Sequence, residues 1–335
     1  MLIKAVIPVA GVGTMLRPHT HTQPKPLIPV AGKPILGHII ENLLAVGIRD
    51  FVFVIGYLGE KIEEFVRSRY QLEGVNLEFV VQSPREGLGH AIWVARKTVQ
   101  GIDEVLIVLG DTIFDVDLRA VLQAQHSTVG VQVVDHPMEF GVVSLDAAGV
   151  VTQVVEKPRI PKSNLALVGL YRIKEVDLLI ASLEELIRDG KRGDRGEYHL
   201  TDALMKMIQN GVQIRTHMVD NWFDCGKKES LLATNRILLE RIEQQPDYHF
   251  ERTVIIHPVY ISDGCRIENS IIGPNVAIAE CAILRNSIVQ NSILGAYSQL
   301  DSIVLDGSVI GNDASLKGKS HQVNIGDNTE IDFSS

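Results

Sequence analysis

Two kinds of apolar pattern alternate along the first half of the chain. Residues 3–10, 51–55, 77–82 and 104–109 are short, nearly continuous apolar runs. Runs of that length read as strands buried on both faces. Between them the apolar positions fall at helical spacing. In residues 34–46, Ile35, Ile39, Ile40, Leu43 and Leu44 share one face, Pro34 suits the first turn, and Gly47 can cap the end. Residues 59–69, 88–99 and 231–242 read as further helices. Strand and helix in alternation predict a doubly wound α/β domain whose mostly parallel sheet is covered on both faces. Ligands of such sheets bind beyond the carboxyl ends of the strands, so the positions after Val9, Val81 and Leu109 are the ones to inspect.

The pattern changes after Gln244-Gln245-Pro246-Asp247. Ile255, Ile261, Ile267, Ile272, Ile278, Ile283, Ile288 and Ile293 recur every five or six residues, and Gly264, Gly273, Gly295, Gly307, Gly311 and Gly326 punctuate the stretch. No helix face repeats at that interval. The period fits one side of each coil in a parallel β-helix, with an isoleucine core; a small β-sandwich of alternating strands is the alternative.

Composition narrows the partners. The chain has 335 residues, 45% hydrophobic and 22% charged, and a net charge of −9. That balance argues against a nonspecific nucleic-acid or membrane-surface partner, but a local cation cluster can still hold a small anion. Cys225, Cys265 and Cys281 are odd in number and form no CxxC pair, so neither a disulfide framework nor a zinc site is expected. The first apolar run, residues 5–9, is too short for a signal peptide or a membrane span, and a cytoplasmic location is expected.

The candidate chemistry begins where the first strand ends, in Gly11-Val12-Gly13-Thr14-Met15-Leu16-Arg17-Pro18. Glycines let backbone N–H groups turn toward phosphate oxygens. A dinucleotide fingerprint fails here, because Leu16 occupies its third glycine position and Pro18 obstructs a helix; the Walker pattern fails for want of a Lys-Ser or Lys-Thr pair. By itself the loop reads equally as a tight turn. Its continuation, Gln23-Pro24-Lys25-Pro26-Leu27-Ile28-Pro29, adds a lysine held between prolines, a fixed cation beside a phosphate loop.

Together these segments resemble the signature of the sugar nucleotidyltransferases, G-x-G-T-R-L-x-P followed by P-K-x-x-x-P, in particular the glucose-1-phosphate thymidylyl- and uridylyltransferase-like members. The resemblance implies that Ala10, Gly11, Gly13 and Thr14 line the nucleotide and that Lys25 contacts the reacting phosphates. Further segments are similar to later family elements. Gln82 and Gly87, in Gln82-Ser83-Pro84-Arg85-Glu86-Gly87-Leu88-Gly89-His90-Ala91, would read a pyrimidine edge. Asp111, in Leu109-Gly110-Asp111, and Asp224, in Trp222-Phe223-Asp224-Cys225-Gly226, would share a Mg²⁺ through hard oxygen ligands. Gly141, Glu156, Lys157 and Arg195 would hold the sugar phosphate.

One position departs from the signature. Met15 stands where the family has arginine, and a thioether brings neither charge nor donors. Lys25, Arg17 and Asp111 are then the residues expected to carry catalysis. The fold so implied is a nucleotidyltransferase domain over residues 1–240 and a left-handed β-helix over 250–331. The expected substrates are a nucleoside triphosphate, UTP or dTTP, and glucose 1-phosphate; Mg²⁺ is the expected cofactor and a homo-oligomer the expected assembly. Two alternatives stay open: a sugar-nucleotide-binding regulatory protein with little activity, and a bifunctional enzyme with an acyltransferase in the β-helix.

Overall fold

The computed structural model describes residues 2–193 and 196–318. The chain divides into two compact units, Met1–Thr234 and Asn235–Ser335.

The first unit opens with strand β1 (Ile3–Pro8), followed by the small hairpin of β2 (Pro29–Val30) and β3 (Lys33–Pro34), then α1 (Ile35–Ala45), β4 (Asp50–Ile55), α2 (Gly59–Tyr70) and β5 (Asn76–Val81). These follow the apolar runs and helical faces of the sequence closely. The expected helix over 88–99 is instead two, α3 (Leu88–Val94) and α4 (Arg96–Val99). At the break, the Thr98 N–H donates to the Ala95 carbonyl only three residues back, and Arg96 donates to the Trp93 carbonyl, so the turn tightens locally. Next come β6 (Glu104–Val108), β7 (Thr112–Asp115), α5 (Leu118–Gln123), β8 (Ser127–Val133), β9 (Gly141–Leu145), β10 (Val151–Glu156), β11 (Leu165–Ile173), α6 (Val176–Arg188), α7 (Leu200–Gln209), β12 (Ile214–Met218), β13 (Asn221–Asp224) and α8 (Lys228–Glu240).

The main sheet runs β10-β9-β11-β6-β1-β4-β5, with β8 beside β11 and β12 beside β8. Its β6-β1-β4-β5 half is parallel. Strands β9, β10 and β11 pair antiparallel, as does β11 with both β6 and β8, so the sheet is mixed rather than mostly parallel. The parallel half is covered on both faces, which is why Ala5, Val6 and Ile7 of β1 and Val52, Phe53 and Val54 of β4 are wholly buried. A buried ion pair fastens the two halves. The Arg172 guanidinium of β11 donates from Nε and Nη2 to the two carboxylate oxygens of Glu104 on β6, each at 2.8 Å, and from Nη1 to the Ala124 carbonyl at 2.7 Å.

In the second unit the described strands form three parallel four-stranded sheets, so each coil visits three walls before meeting the one above. This arrangement is consistent with a left-handed parallel β-helix; residues 319–331 of the expected span lie outside the described residues. Ile255, Ile272, Val289 and Leu305 stack in one inward column. The isoleucine core is correct only for the first coils. Ile261, Ile267, Ile272 and Ile278 are buried, but Ile288 faces outward, and the inward positions pass to Leu284, Val289 and Leu294. A coil holds 16 or 17 residues, so some of its steps are five residues rather than six. Each short step moves the inward position away from a strict isoleucine period. Among the described residues no helix is long and apolar enough to cross a membrane.

Candidate active site

The end of β1 leads into the glycine loop, and neighbouring segments close tightly around it. Gly110 lies so near that a Cβ there would stand 2.2 Å from Cγ1 of Val9. Only glycine lets the chain leaving β6 pass this point and set Asp111 beside the loop. Gly13 has φ +67°, and a Cβ on it would meet the Lys25 Cβ at 2.9 Å. The Thr20 hydroxyl donates to the Gly13 carbonyl at 2.8 Å, fixing the loop against the His19–His21 turn that precedes Lys25. Gly11 is different: an added Cβ would touch nothing within 4 Å. Its lack of a side chain serves no packing need of the protein itself; the space it leaves belongs to the cavity.

Lys25 sits in a short turn, Lys25–Leu27, entered through Pro24. Its ammonium donates to Asp111 Oδ2 at 2.5 Å. Strand β13 pairs antiparallel with β7, Asp224 opposite Thr112, which brings Asp224 to the same spot from far along the chain. Burial alone would lower the Lys25 pKa, but the charge and hydrogen bond of Asp111, with help from Asp224, leave it raised. Burial would likewise raise Asp111, yet the Lys25 cation and its hydrogen bond hold that carboxyl below the usual range. Asp224 moves the other way: burial first, then the charge of Asp111, push it up. Two hard-oxygen carboxylates crowded together suit a divalent cation of the magnesium type. Among the described residues no third ligand joins them into a metal-binding cluster, so such an ion would take its remaining ligands from water and phosphate. Cys225, next in the chain, is a buried thiol whose pKa burial pushes up to about 12. It is an inert neighbour.

A cleft of about 540 Å³ opens beyond the carboxyl ends of β1, β5 and β6. Its lining brings together Ala10, Gly11, Gly13, Lys25, Gln82, Gly87 and Asp111, all named by the sequence, and adds Arg85 and Glu197, which were not. Gln82 is 5% exposed. Its amide nitrogen donates to the Gly87 carbonyl at 2.9 Å and lies 3.3 Å from His90 Nδ1. A carbonyl can only accept, so the amide orientation is fixed and Oε1 is the atom left for a ligand. A free amide both donates and accepts, but here the donating side is largely spent on the protein. Gly87 has φ +97°, and a Cβ there would stand 2.7 Å from the Tyr198 carbonyl, so this turn also requires glycine.

The proposed sugar residues form a second group. Gly141 pairs with Glu156 across β9 and β10, and a Cβ at Gly141 would meet Glu156 Oε2 at 3.0 Å. Thr201 donates to that same oxygen at 3.2 Å. Burial, then the Glu156 charge, push the Tyr171 phenol far up, so it stays protonated. Lys157 follows with φ +41° and an exposed side chain. Gly141, Glu156 and Lys157 do not line the cleft above. Thr14, Met15 and Arg17 are also outside its lining and exposed, Met15 at 68%. Arg195 lies outside the described residues. Arg85 stands in the segment that carries Gln82 and Gly87 but was given no role there, and no local signal separates it or Glu197 from surface charge.

A phosphate loop, a buried lysine and paired carboxylates at the mouth of a half-parallel sheet are the equipment of an enzyme that handles nucleotides. Residues 4–241 match the nucleotidyl transferase family, and the chain belongs to it. It is 30% identical to the glucose-1-phosphate thymidylyltransferase of Streptomyces antibioticus, over 99% of this chain and 100% of that protein. It is 35% identical to the bifunctional protein GlmU of Methanocaldococcus jannaschii over 78% of its own length, and that alignment covers 60% of GlmU. Among solved structures it resembles a putative glucose-1-phosphate thymidylyltransferase from Bacillus anthracis in complex with a sucrose. There the TM-score is 0.62 at 27% identity, covering 73% of this chain and 98% of that one.

Proposed function

We propose that the protein joins a nucleoside triphosphate to a sugar 1-phosphate, giving a nucleoside diphosphate sugar and pyrophosphate, with UTP or dTTP and glucose 1-phosphate as its substrates. The observation that carries the proposal is the cleft in which Gly11, Gly13, Lys25, Gln82 and Asp111 converge. An oxygen of the sugar phosphate attacks the α-phosphorus in line; the new P–O bond forms as the bond to the β-phosphate bridging oxygen breaks, and pyrophosphate leaves. The attacking oxygen is already anionic, so the protein supplies position and charge rather than a base. The Gly11 and Gly13 backbone approaches the phosphates, and Lys25 exchanges its Asp111 contact for them. Asp111 and Asp224 would hold Mg²⁺, which would supply further positive charge for the triphosphate. Glu156 accepts from sugar hydroxyls, and Lys157 and Arg195 meet the sugar phosphate.

On the base side, Gln82 Oε1 accepts from a ring N–H while the Gly87 N–H donates to the adjacent carbonyl. Uracil, thymine and guanine carry that pair of groups; adenine and cytosine do not. Pyrophosphate release should therefore be fastest with UTP or dTTP, slower with GTP, and least with ATP and CTP. Pyrophosphate release with ATP alone would overturn the base assignment, and none with any nucleotide would overturn the enzyme. Met15, exposed and uncharged, favours one second reading, a sugar-nucleotide-binding regulatory protein; binding without pyrophosphate in the same assay identifies it. An acyltransferase in the C-terminal unit remains the bifunctional alternative, and acetyl-CoA consumption tests it. We assign residues 1–240 to catalysis and 250–331 to assembly into a homo-oligomer.

A further inference from the structure

Two basic residues stand among the described residues lining the cleft, Lys25 and Arg85. Lys25 is engaged by Asp111. Arg85 has no carboxylate partner among the described residues. Its chain neighbour Glu86 is taken by Arg192, which donates to Oε1 of that side chain. Arg85 is exposed at the mouth, and its guanidinium carbon lies 5.9 Å from the centre of the Tyr57 ring.

Tyr57 places that guanidinium. The Tyr57 N–H donates to the Ala10 carbonyl at 3.3 Å, at the point where β1 becomes the glycine loop. Its hydroxyl donates to the His21 carbonyl at 3.1 Å, on the turn between the loop and Lys25. The ring is thus tied at both ends to the segments that surround the phosphates, and Arg85 rests against it at cation–π range. Across the loop, position 15 offers a thioether, and Arg17 lies outside the cleft lining.

We infer that Arg85 is a second triphosphate-binding cation beside Lys25, reaching from the base-side turn to the role that Met15 leaves empty. Arginine chemistry fits that role, because its planar fork binds phosphate oxygens in pairs and stays charged at any working pH. Resting on Tyr57, it keeps its donors free until a polyanion arrives. The inference rests on the nucleotidyl-transfer reading, since it needs a triphosphate in the cleft.

The test compares Arg85→Ala with the natural protein in direct binding of UTP, dTTP, UMP, uridine and inorganic tripolyphosphate, with pyrophosphate release alongside. The residue is exposed, so the melting temperature should hold. UTP and tripolyphosphate affinity should fall at least tenfold, UMP and uridine less than twofold, and Arg85→Lys should recover part of the loss. Met15→Arg added to Arg85→Ala should restore most of it, and should do little in the natural background. Equal losses for uridine and UTP would mean that Arg85 stacks on the base, which overturns the inference. So would an unchanged UTP affinity, or a loss produced by Arg17→Ala and not by Arg85→Ala. These results leave nucleotidyl transfer standing where the natural protein still releases pyrophosphate. If the natural protein binds none of the triphosphates, both readings fall together.

Discussion

Asp111 and Asp224 approach the same lysine, yet their contributions to stability respond to pH in opposite senses. The folded Asp111 carboxyl is held below its ordinary value of 3.8, so it stabilises the fold above that pH, and the contribution fades as pH falls through its folded value. The Asp224 carboxyl is raised above 3.8; its ionisation disfavours the fold, in full once pH has risen through the folded value. At pH 7 without metal, Asp111→Asn should lower the melting temperature and Asp224→Asn should raise it. The Asp111 side chain is 38% exposed, so solvent screening keeps its effect to about 1 kcal/mol or less. Both variants should lose Mg²⁺-dependent turnover; full activity in either rules out a shared ion. The two loop glycines separate fold from ligand in the same way. Gly13→Ala meets positive φ and the Lys25 side chain and should cost about 1–2 kcal/mol in urea melts. Gly11→Ala meets nothing, so its melt should match the natural protein while UTP affinity drops tenfold or more. A Gly11→Ala protein that binds UTP normally would remove this glycine from the site. Lys25 and the glycines were legible in the sequence because neighbours in the chain define them. The Asp111–Asp224 pairing came only through the family resemblance; spacing could not supply it, since it depends on β13 pairing with β7 more than a hundred residues away in the chain.

Elements divide along the same line between local and distant causes. The helix α1 and strands β1, β4, β5 and β6 were readable because periodicity and continuous apolar runs are properties of a few adjacent residues. The antiparallel insertion of β11 between β6 and β9 was not, because a run such as Leu165–Ile173 is apolar whichever direction its neighbours take. What fixes that neighbour is partly Arg172, an arginine 2% exposed near the end of β11. Its counter-charge is Glu104 on β6, also nearly enclosed. Glu104→Ala strands the guanidinium and should cost about 3–5 kcal/mol, read as a fall in the urea midpoint. A shift under about 1 kcal/mol would show that water reaches the site. Replacing both residues with apolar ones of similar volume should recover much of the loss, since the pair is costly to break rather than strongly favourable to make.

For the whole molecule, a net charge of −9 coexists with a cleft whose cations are local, which is compatible with an anionic substrate. Every cleft residue belongs to the first unit. A chain ended after Arg241 should therefore still fold and bind UTP, with fewer chains per particle in solution if the second unit mediates assembly. An unchanged number of chains per particle would argue against that role. Because Ser270 and Ser287 occupy matching corners 17 residues apart, each hydroxyl serving the coil it lies in and the next, a coil is an interchangeable part. Excising residues 271–287 joins Ser270 to Ile288 and should leave every remaining column aligned, giving a soluble, shorter protein with cooperative melting. Removing Ile271 alone should shift that coil's inward column by one position and yield an aggregating product. Because coils of 16 and 17 residues both occur, a corner can absorb a single residue whereas a strand cannot, and insertions or losses within the strands should survive only in steps of one coil.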